Sequence, residues 1–199
     1  MCSWCWGFAP ELDNLMKKYD DVADFEIVLG GLRPGQLAQK MDEKTKRFIK
    51  HHWKQVEERS GQPFNTAFFE QEDFVYDTEP ASRAVVVMKR LAPEFEFEFF
   101  KRIQFAFYAE NKDPTDIDTF LSLLKGLPAG ADEFVELFNK PEVQKETYAN
   151  FQLSAKLGIS GFPSLLMKKK QKLSMVTTGY QKAEELYPRI DSILSIQRE

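Results

Sequence analysis

Met1-Cys2-Ser3-Trp4-Cys5-Trp6-Gly7-Phe8 opens the chain and contains its only two cysteines. At a helix N-terminus the free backbone N–H groups and the helix dipole favour an anion. A Cys2 placed there is held toward the thiolate, the nucleophilic form of the group. Cys5, in the next turn, then shares a helix face with Cys2 at roughly 5–6 Å, close enough for a disulfide. On this reading Cys2 attacks and Cys5 resolves. Two plainer readings stand beside it, because free cysteines are often buried small hydrophobes and C-x-x-C is half of many zinc sites. Zinc needs further ligands, yet no third cysteine exists and the only histidines, His51 and His52, are adjacent in a charged stretch. Trp, Gly and Pro crowd the motif in place of an apolar helical stripe, which argues against coincidental core cysteines. Redox chemistry is the expectation, with no metal.

Downstream, Phe8, Leu12, Leu15, Met16 and Tyr19 recur at helical spacing, an apolar stripe ending near Lys18. Pro10 removes one intrahelical hydrogen bond, so a kink or a fresh first turn is expected there. The run Asp24-Phe25-Glu26-Ile27-Val28-Leu29 suits a buried strand closed by Gly30-Gly31. Gly30-Gly31-Leu32-Arg33-Pro34-Gly35 has neither G-x-G-x-x-G spacing nor a Gly-Lys-Ser/Thr phosphate clamp, and reads as a turn. From Leu37 to Ser60 the composition is helical and strongly charged, with His51, His52 and Trp53 on a solvated face. Gly61-Gln62-Pro63-Phe64-Asn65 breaks that helix.

Further helices are expected over 80–91, 93–110, 116–125, 131–139 and 141–157, the last stopped by Gly158. Phe95-Glu96-Phe97-Glu98-Phe99 alternates like a strand, but Phe99, Ile103, Ala106 and Phe107 continue at helical spacing. Asp113, Asp116 and Asp118 lack the glycine and terminal glutamate of a calcium loop, so Thr115 or Asp113 is read as a helix cap. Ser164-Leu165-Leu166-Met167 and Leu173-Ser174-Met175-Val176-Thr177 flank a charged turn and make a hairpin. Its lysines lack the stacking aromatics of an RNA contact. A final amphipathic helix carries Leu186, Ile190, Ile193 and Leu194 on one face.

A chain of 199 residues suffices for one well-buried domain or a small core domain with an insertion. Hydrophobic residues at 43% and charged residues at 29% give the balance of a soluble globular protein, and 18 Phe point to much aromatic surface in a core or groove. A net charge of −4 supplies no electrostatic reason for nucleic acid or an anionic membrane as partner. No run approaches the roughly 18 apolar residues of a membrane span, and no N-terminal segment resembles a signal peptide. A cytoplasmic location is expected, and the use of both cysteines in one motif fits a reducing compartment.

Taken together, Cys2-Ser3-Trp4-Cys5-Trp6-Gly7-Phe8 and Gly158-Ile159-Ser160-Gly161-Phe162-Pro163-Ser164 resemble the DsbA-like thiol–disulfide oxidoreductases, in particular the protein-disulfide isomerase branch related to FrnE-type proteins. The resemblance spans essentially the whole chain. It implies an α/β, thioredoxin-like fold with a large all-helical insertion: residues 1–36 and 158–199 make the thioredoxin-like domain, and 37–157 the insertion. It implies that Pro163 is a cis-proline opposite the cysteine pair, a minority state that sequence alone does not reveal. Phe162 would offer backbone hydrogen bonds to an extended substrate. Trp4 would add apolar surface for substrate, as would Trp6 and Phe8 unless they serve the core.

The implied chemistry is attack of the Cys2 thiolate on a substrate disulfide and release of the mixed disulfide by Cys5, or the reverse. Ser3-Trp4 lacks the histidine of the strongly oxidising motif, so a weaker oxidant is expected. No cofactor is implied beyond the redox-active disulfide, with glutathione as candidate co-substrate; the partners are protein or small-molecule thiols and disulfides. In the thioredoxin fold a central strand precedes the motif, whereas only Met1 precedes Cys2 here. The first strand is therefore expected to be missing from this chain, with the natural chain beginning upstream. Two other functions belong to the same superfamily. A glutathione-linked transferase or isomerase needs at most one of the cysteines; a non-catalytic protease adaptor would dock through the Phe-rich helical block. Arg83 reads as a structural salt bridge.

Overall fold

Helix α1 (Ser3–Tyr19) starts where Cys2, in extended conformation (φ −110°, ψ 120°), lends its carbonyl to the N–H groups of Cys5 and Trp6 at 3.1 and 3.2 Å. The computed structural model describes residues 1–71 and 74–195, so the end of the expected C-terminal segment, 196–199, lies outside it. α1 runs through Pro10 as one element, and the fresh start allowed by the sequence does not occur. Pro10 is exposed and forfeits one hydrogen bond of a helix gripped on both sides. On one side Trp6 and Ala9 join an aromatic cluster with Trp53, Phe68, Phe107 and Tyr108. On the other, Phe8, Leu15 and Tyr19 pack with Val176, Leu186 and Ile190. Trp6 and Phe8 are core residues.

α2 (Glu43–Ser60) is set by its ends: Asp42 accepts the Thr45 N–H, and Gly61 closes it in the left-handed conformation at φ 75°. Trp53 corrects the sequence reading, since it is 2% exposed at the centre of the aromatic cluster and not on a solvated face. Ile49, Trp53 and Val56 fall at helical spacing beneath the charges, so a single apolar stripe is hidden in a polar helix.

α3 (Glu79–Leu91), α4 (Glu96–Tyr108), α5 (Ile117–Ser122), α6 (Ala131–Phe138) and α7 (Pro141–Lys156) follow. The cap of α5 is Asp116, whose side chain accepts the Asp118 N–H, in place of Thr115 or Asp113. Val85, Val87, Phe99, Ile103, Phe120, Phe134 and Val143 fuse these helices into one apolar core. Arg83 is the expected ion pair: its Nε and Nη2 bind both Glu79 carboxylate oxygens at 2.8 and 2.5 Å.

The segment 24–29, read as a strand, belongs to no ladder; the sheet among the described residues is β1 (Ser164–Lys169) against β2 (Lys172–Thr178), antiparallel. A strand exists only with a partner, and this run spends its residues otherwise. Ile27 and Leu29 pack into the helical core, and the Leu29 N–H donates to Asn150 Oδ1 at 3.4 Å. α8 (Ala183–Ser195) covers the hairpin through Ala183, Leu186 and Ile190.

Candidate active site

Cys2 sits at the N-cap of α1 without using its side chain as a cap, so the sulfur is free to face elsewhere. It faces the loop leading into β1: the thiol donates to the Phe162 carbonyl oxygen at 3.5 Å. That loop is fixed from both ends. The Phe162–Pro163 peptide is cis, the Pro163 carbonyl accepts the Gly179 N–H at 2.7 Å, and the Ser164 hydroxyl donates to the Gly161 carbonyl at 2.8 Å. The Phe162 ring lies against Gly30, where a Cβ would fall 2.1 Å from two ring carbons. Beside it Gly31, at φ +62°, leaves a Cβ only 2.6 Å from the Phe151 ring. The glycine pair that reads as a turn in the sequence is also a platform for two aromatic rings.

The two sulfurs are electrically unlike. The Cys5 thiol donates to the Cys2 sulfur and, with the backbone N–H groups of Cys5 and Trp4, outweighs burial, bringing Cys2 down to about 7 from a usual 9.0. The same contact, together with burial, pushes Cys5 well up. The pair therefore holds its thiolate on Cys2 and its proton on Cys5. A nucleophile and a protonated reserve thiol beside it are the parts that disulfide exchange requires.

Both cysteines and Phe162 line a cavity of about 120 Å³ together with Ile27, Val85, Ile103 and Gln104, and apart from the two cysteines no ionisable side chain takes part in its wall. Trp4 and Pro163 are not in that wall. Trp4 is half-buried on Tyr180, ring centroids 5.8 Å apart, and the Arg59 guanidinium lies 6.0 Å from the Tyr180 ring. Among the described residues no three His, Cys, Asp or Glu side chains gather as a metal-ligand set. Behind the motif Tyr76 donates its hydroxyl to the Met1 carbonyl, and burial raises the hydroxyls of Tyr76 and Tyr108 so that both stay neutral.

Sequence reasoning missed Gln104. Its only signal is a polar residue on the buried side of α4, next to Ile103 and one turn after Phe100. Tyr76 and the ring-bearing role of Gly30 were likewise out of reach, because both depend on contacts between distant parts of the chain.

A family model described as DSBA-like thioredoxin domain matches residues 1–190. Among solved structures, that of a protein from Nitrosomonas europaea, assigned by inference as a protein disulfide isomerase, is 36% identical; 98% of this chain and 93% of that chain are covered, with a TM-score of 0.91. The cytosolic disulfide reductase DsbM from Pseudomonas aeruginosa is 22% identical over 98% of this chain and 95% of its own, with a TM-score of 0.79. Its structure with GSH gives a TM-score of 0.76. At that identity DsbM shows likeness of fold alone. No curated protein matches the chain. The α/β, thioredoxin-like fold implied by the two motifs is the fold of this chain, mostly helical with a small two-stranded sheet.

Proposed function

The chain belongs to the family of DSBA-like thioredoxin domains, and from that premise we propose that it is a thiol–disulfide oxidoreductase working through Cys2 and Cys5. The observation that carries the proposal is the asymmetry of the pair: Cys2 lowered to about 7 and Cys5 pushed well up, with Cys2 Sγ at the Phe162 carbonyl. The Cys2 thiolate attacks a substrate disulfide and a mixed disulfide forms. Cys5 then attacks Cys2 Sγ, the Cys2–Cys5 disulfide closes, and the substrate leaves as a thiol; run backward, the same steps oxidise a dithiol. The sulfur of Cys2 has no proton to donate once it is in the mixed disulfide. The Phe162 carbonyl is then free to accept an N–H of an extended substrate, with Pro163 fixing the loop and Trp4 offering an apolar edge.

No cofactor beyond the redox-active disulfide takes part in this reading. The partners are protein or small-molecule thiols, in the cytoplasm. Glutathione is the small thiol to try first, since a fold neighbour was solved with it. No helix among the described residues is long and apolar enough to cross a membrane.

The test is equilibration in glutathione buffers followed by alkylation of free thiols. A single two-electron transition between roughly −270 and −120 mV, the thioredoxin and DsbA values, is the expected result, with its position telling reductant from oxidant. Cys5→Ser should accumulate a mixed disulfide at Cys2 that the parent protein resolves. If no disulfide forms across that range, the pair is not a redox centre.

A further inference from the structure

Among the described residues three arginines are half-buried, and they are not equally provided for. Arg83 and Arg102 hold the carboxylates of Glu79 and Glu98, each at 2.5 Å. Arg33 holds none. Its guanidinium forms no ion pair among the described residues, and the group it meets is the Tyr76 ring, whose centroid is 5.6 Å away. Asp77, next to Tyr76 in the chain, instead accepts the N–H groups of Gly35 and Glu79 at Oδ1, at 2.9 and 2.8 Å. A ring face is the weaker partner for such a cation, because the planar N–H fork of arginine matches a carboxylate through two parallel hydrogen bonds.

Arg33 stands at the cavity of the cysteine pair. Leu32 before it and Thr78 opposite both line the wall with Cys2 and Cys5. Thr78 grips its backbone twice: the Arg33 N–H donates to Thr78 Oγ1 at 3.0 Å, and the Thr78 N–H to the Arg33 carbonyl at 3.1 Å. The ring under the guanidinium leads to the motif, since the Tyr76 hydroxyl donates to the carbonyl of the peptide that precedes Cys2. The Met1 amine in the wall is brought down to about 5 by burial and is neutral where the thiolate works, so it adds no second cation there.

We propose that Arg33 binds the carboxylate of a small thiol substrate, which makes disulfides of carboxylate-bearing thiols the preferred class. The inference rests on the oxidoreductase reading above. Beside a cavity of about 120 Å³ the carboxylate has to lie within a few bonds of the reacting sulfur, which describes a small thiol acid. The balance is protein dithiol plus R–S–S–R giving the Cys2–Cys5 disulfide plus two R–SH. Cys2 bonds to one substrate sulfur as the S–S bond breaks, and the electron pair leaves on the other. Cys5 then displaces the second R–S⁻ from Cys2, and the two protons of the dithiol end on the two thiols released. Arg33 changes neither charge nor oxidation state; it holds R in place.

The test mixes reduced protein with dithiodipropionate or with bis(2-hydroxyethyl) disulfide, which end on carboxylate and hydroxyl respectively, and follows the loss of free thiols by alkylation and mass. Arg33→Gln should lower the ratio of the two rates, carboxylate over hydroxyl, by about tenfold, the low end for a hydrogen bond to a charged group. Comparing ratios cancels the intrinsic reactivity of each disulfide and any change at Cys2 common to both. Arg33→Lys keeps the charge without the fork and should lower the ratio part of the way. Arg189→Gln, exposed on α8, makes the same change in net charge and should leave the ratio where it is. An unchanged ratio in Arg33→Gln overturns the proposal, as does an equal fall in Arg189→Gln, which marks overall charge and not a site. Should Arg33→Gln fail to fold, an unchanged ratio in Arg33→Lys overturns it as well. A parent protein that loses no thiols to either disulfide is a different failure: it removes the oxidoreductase reading.

Discussion

At Cys2 two environments compete for one sulfur. The Phe162 carbonyl can only accept, and so holds the thiol; the Cys5 thiol and the N–H groups of Cys5 and Trp4 only donate, and so hold the thiolate. The donors win, which brings Cys2 to about 7. Carboxamidomethylation of reduced protein by iodoacetamide should therefore rise with pH through about 7, where an ordinary thiol at roughly 8.5 is still largely unreactive. Cys5→Ala removes the largest lowering cause, so the same profile should move up in pH. An unmoved midpoint would show that the Cys5 thiol is not what holds the thiolate. The placing of Cys2 at a helix N-cap and of Cys5 in the next turn was legible in the sequence, because both are local geometry. The donor set that decides between them was only partly so, since Phe162 stands 160 positions away.

Among the elements, the loop into β1 and helix α3 make a useful contrast, one carrying the site and the other the scaffold. Gly30→Ala puts a methyl where the Phe162 ring now lies, 2.1 Å from the ring carbons. Overpacking of this kind costs about 1–3 kcal/mol. Because the ring is joined to the carbonyl facing Cys2, the iodoacetamide profile of Cys2 should change together with stability. Arg83→Ala leaves the Glu79 carboxylate buried without its partner, side chains now 17% and 4% exposed. It should cost about 3 kcal/mol in chemical denaturation and leave the Cys2 profile in place. A Gly30→Ala protein with normal stability and normal profile would mean that the ring does not position the loop. Most ends of helices α2 to α7 were readable because breakers, prolines and periodicity are local signals: Gly61, Pro141 and Gly158 all stand at or next to helix ends, whereas α2 begins at Glu43 behind its Asp42 cap and not at Leu37. Residues 24–29 were misread for the opposite reason, since a β-branched run announces an apolar segment but not the presence of a neighbouring strand. Trp53 was hidden by its charged neighbours; only the spacing of Ile49, Trp53 and Val56 betrays the stripe.

Across the whole molecule, α1 ties the cysteine pair to both of the cores that flank it, through Trp6 on one side and Phe8 on the other. Whatever stabilises the thiolate in the folded protein must then appear in the stability of the reduced form, because protonation and folding are linked. The sign follows from the shift. Cys2 is depressed from 9.0 to about 7 in the folded protein, so its contribution is fully present above 9, where both states are ionised, and is lost as pH falls through 7. Between those limits the unfolded chain binds the proton that the folded chain has released. Cys5, raised in the folded state, is protonated in both states only at the lower end of this window; toward 9 the unfolded chain releases its proton and the folded chain does not, which opposes the gain from Cys2. Titrating groups away from the motif are common to the reduced and disulfide forms and cancel in their difference. The reduced form should therefore gain on the disulfide form by up to about 1 kcal/mol per pH unit between 7 and 8, and the gain should level off toward 9 as the unfolded chain releases its own thiol protons. Urea unfolding of the two forms at several pH values measures that gap directly. A gap that does not change with pH would mean that folding leaves the Cys2 thiol where an unfolded chain has it, and the asymmetry on which the proposed chemistry depends would be lost.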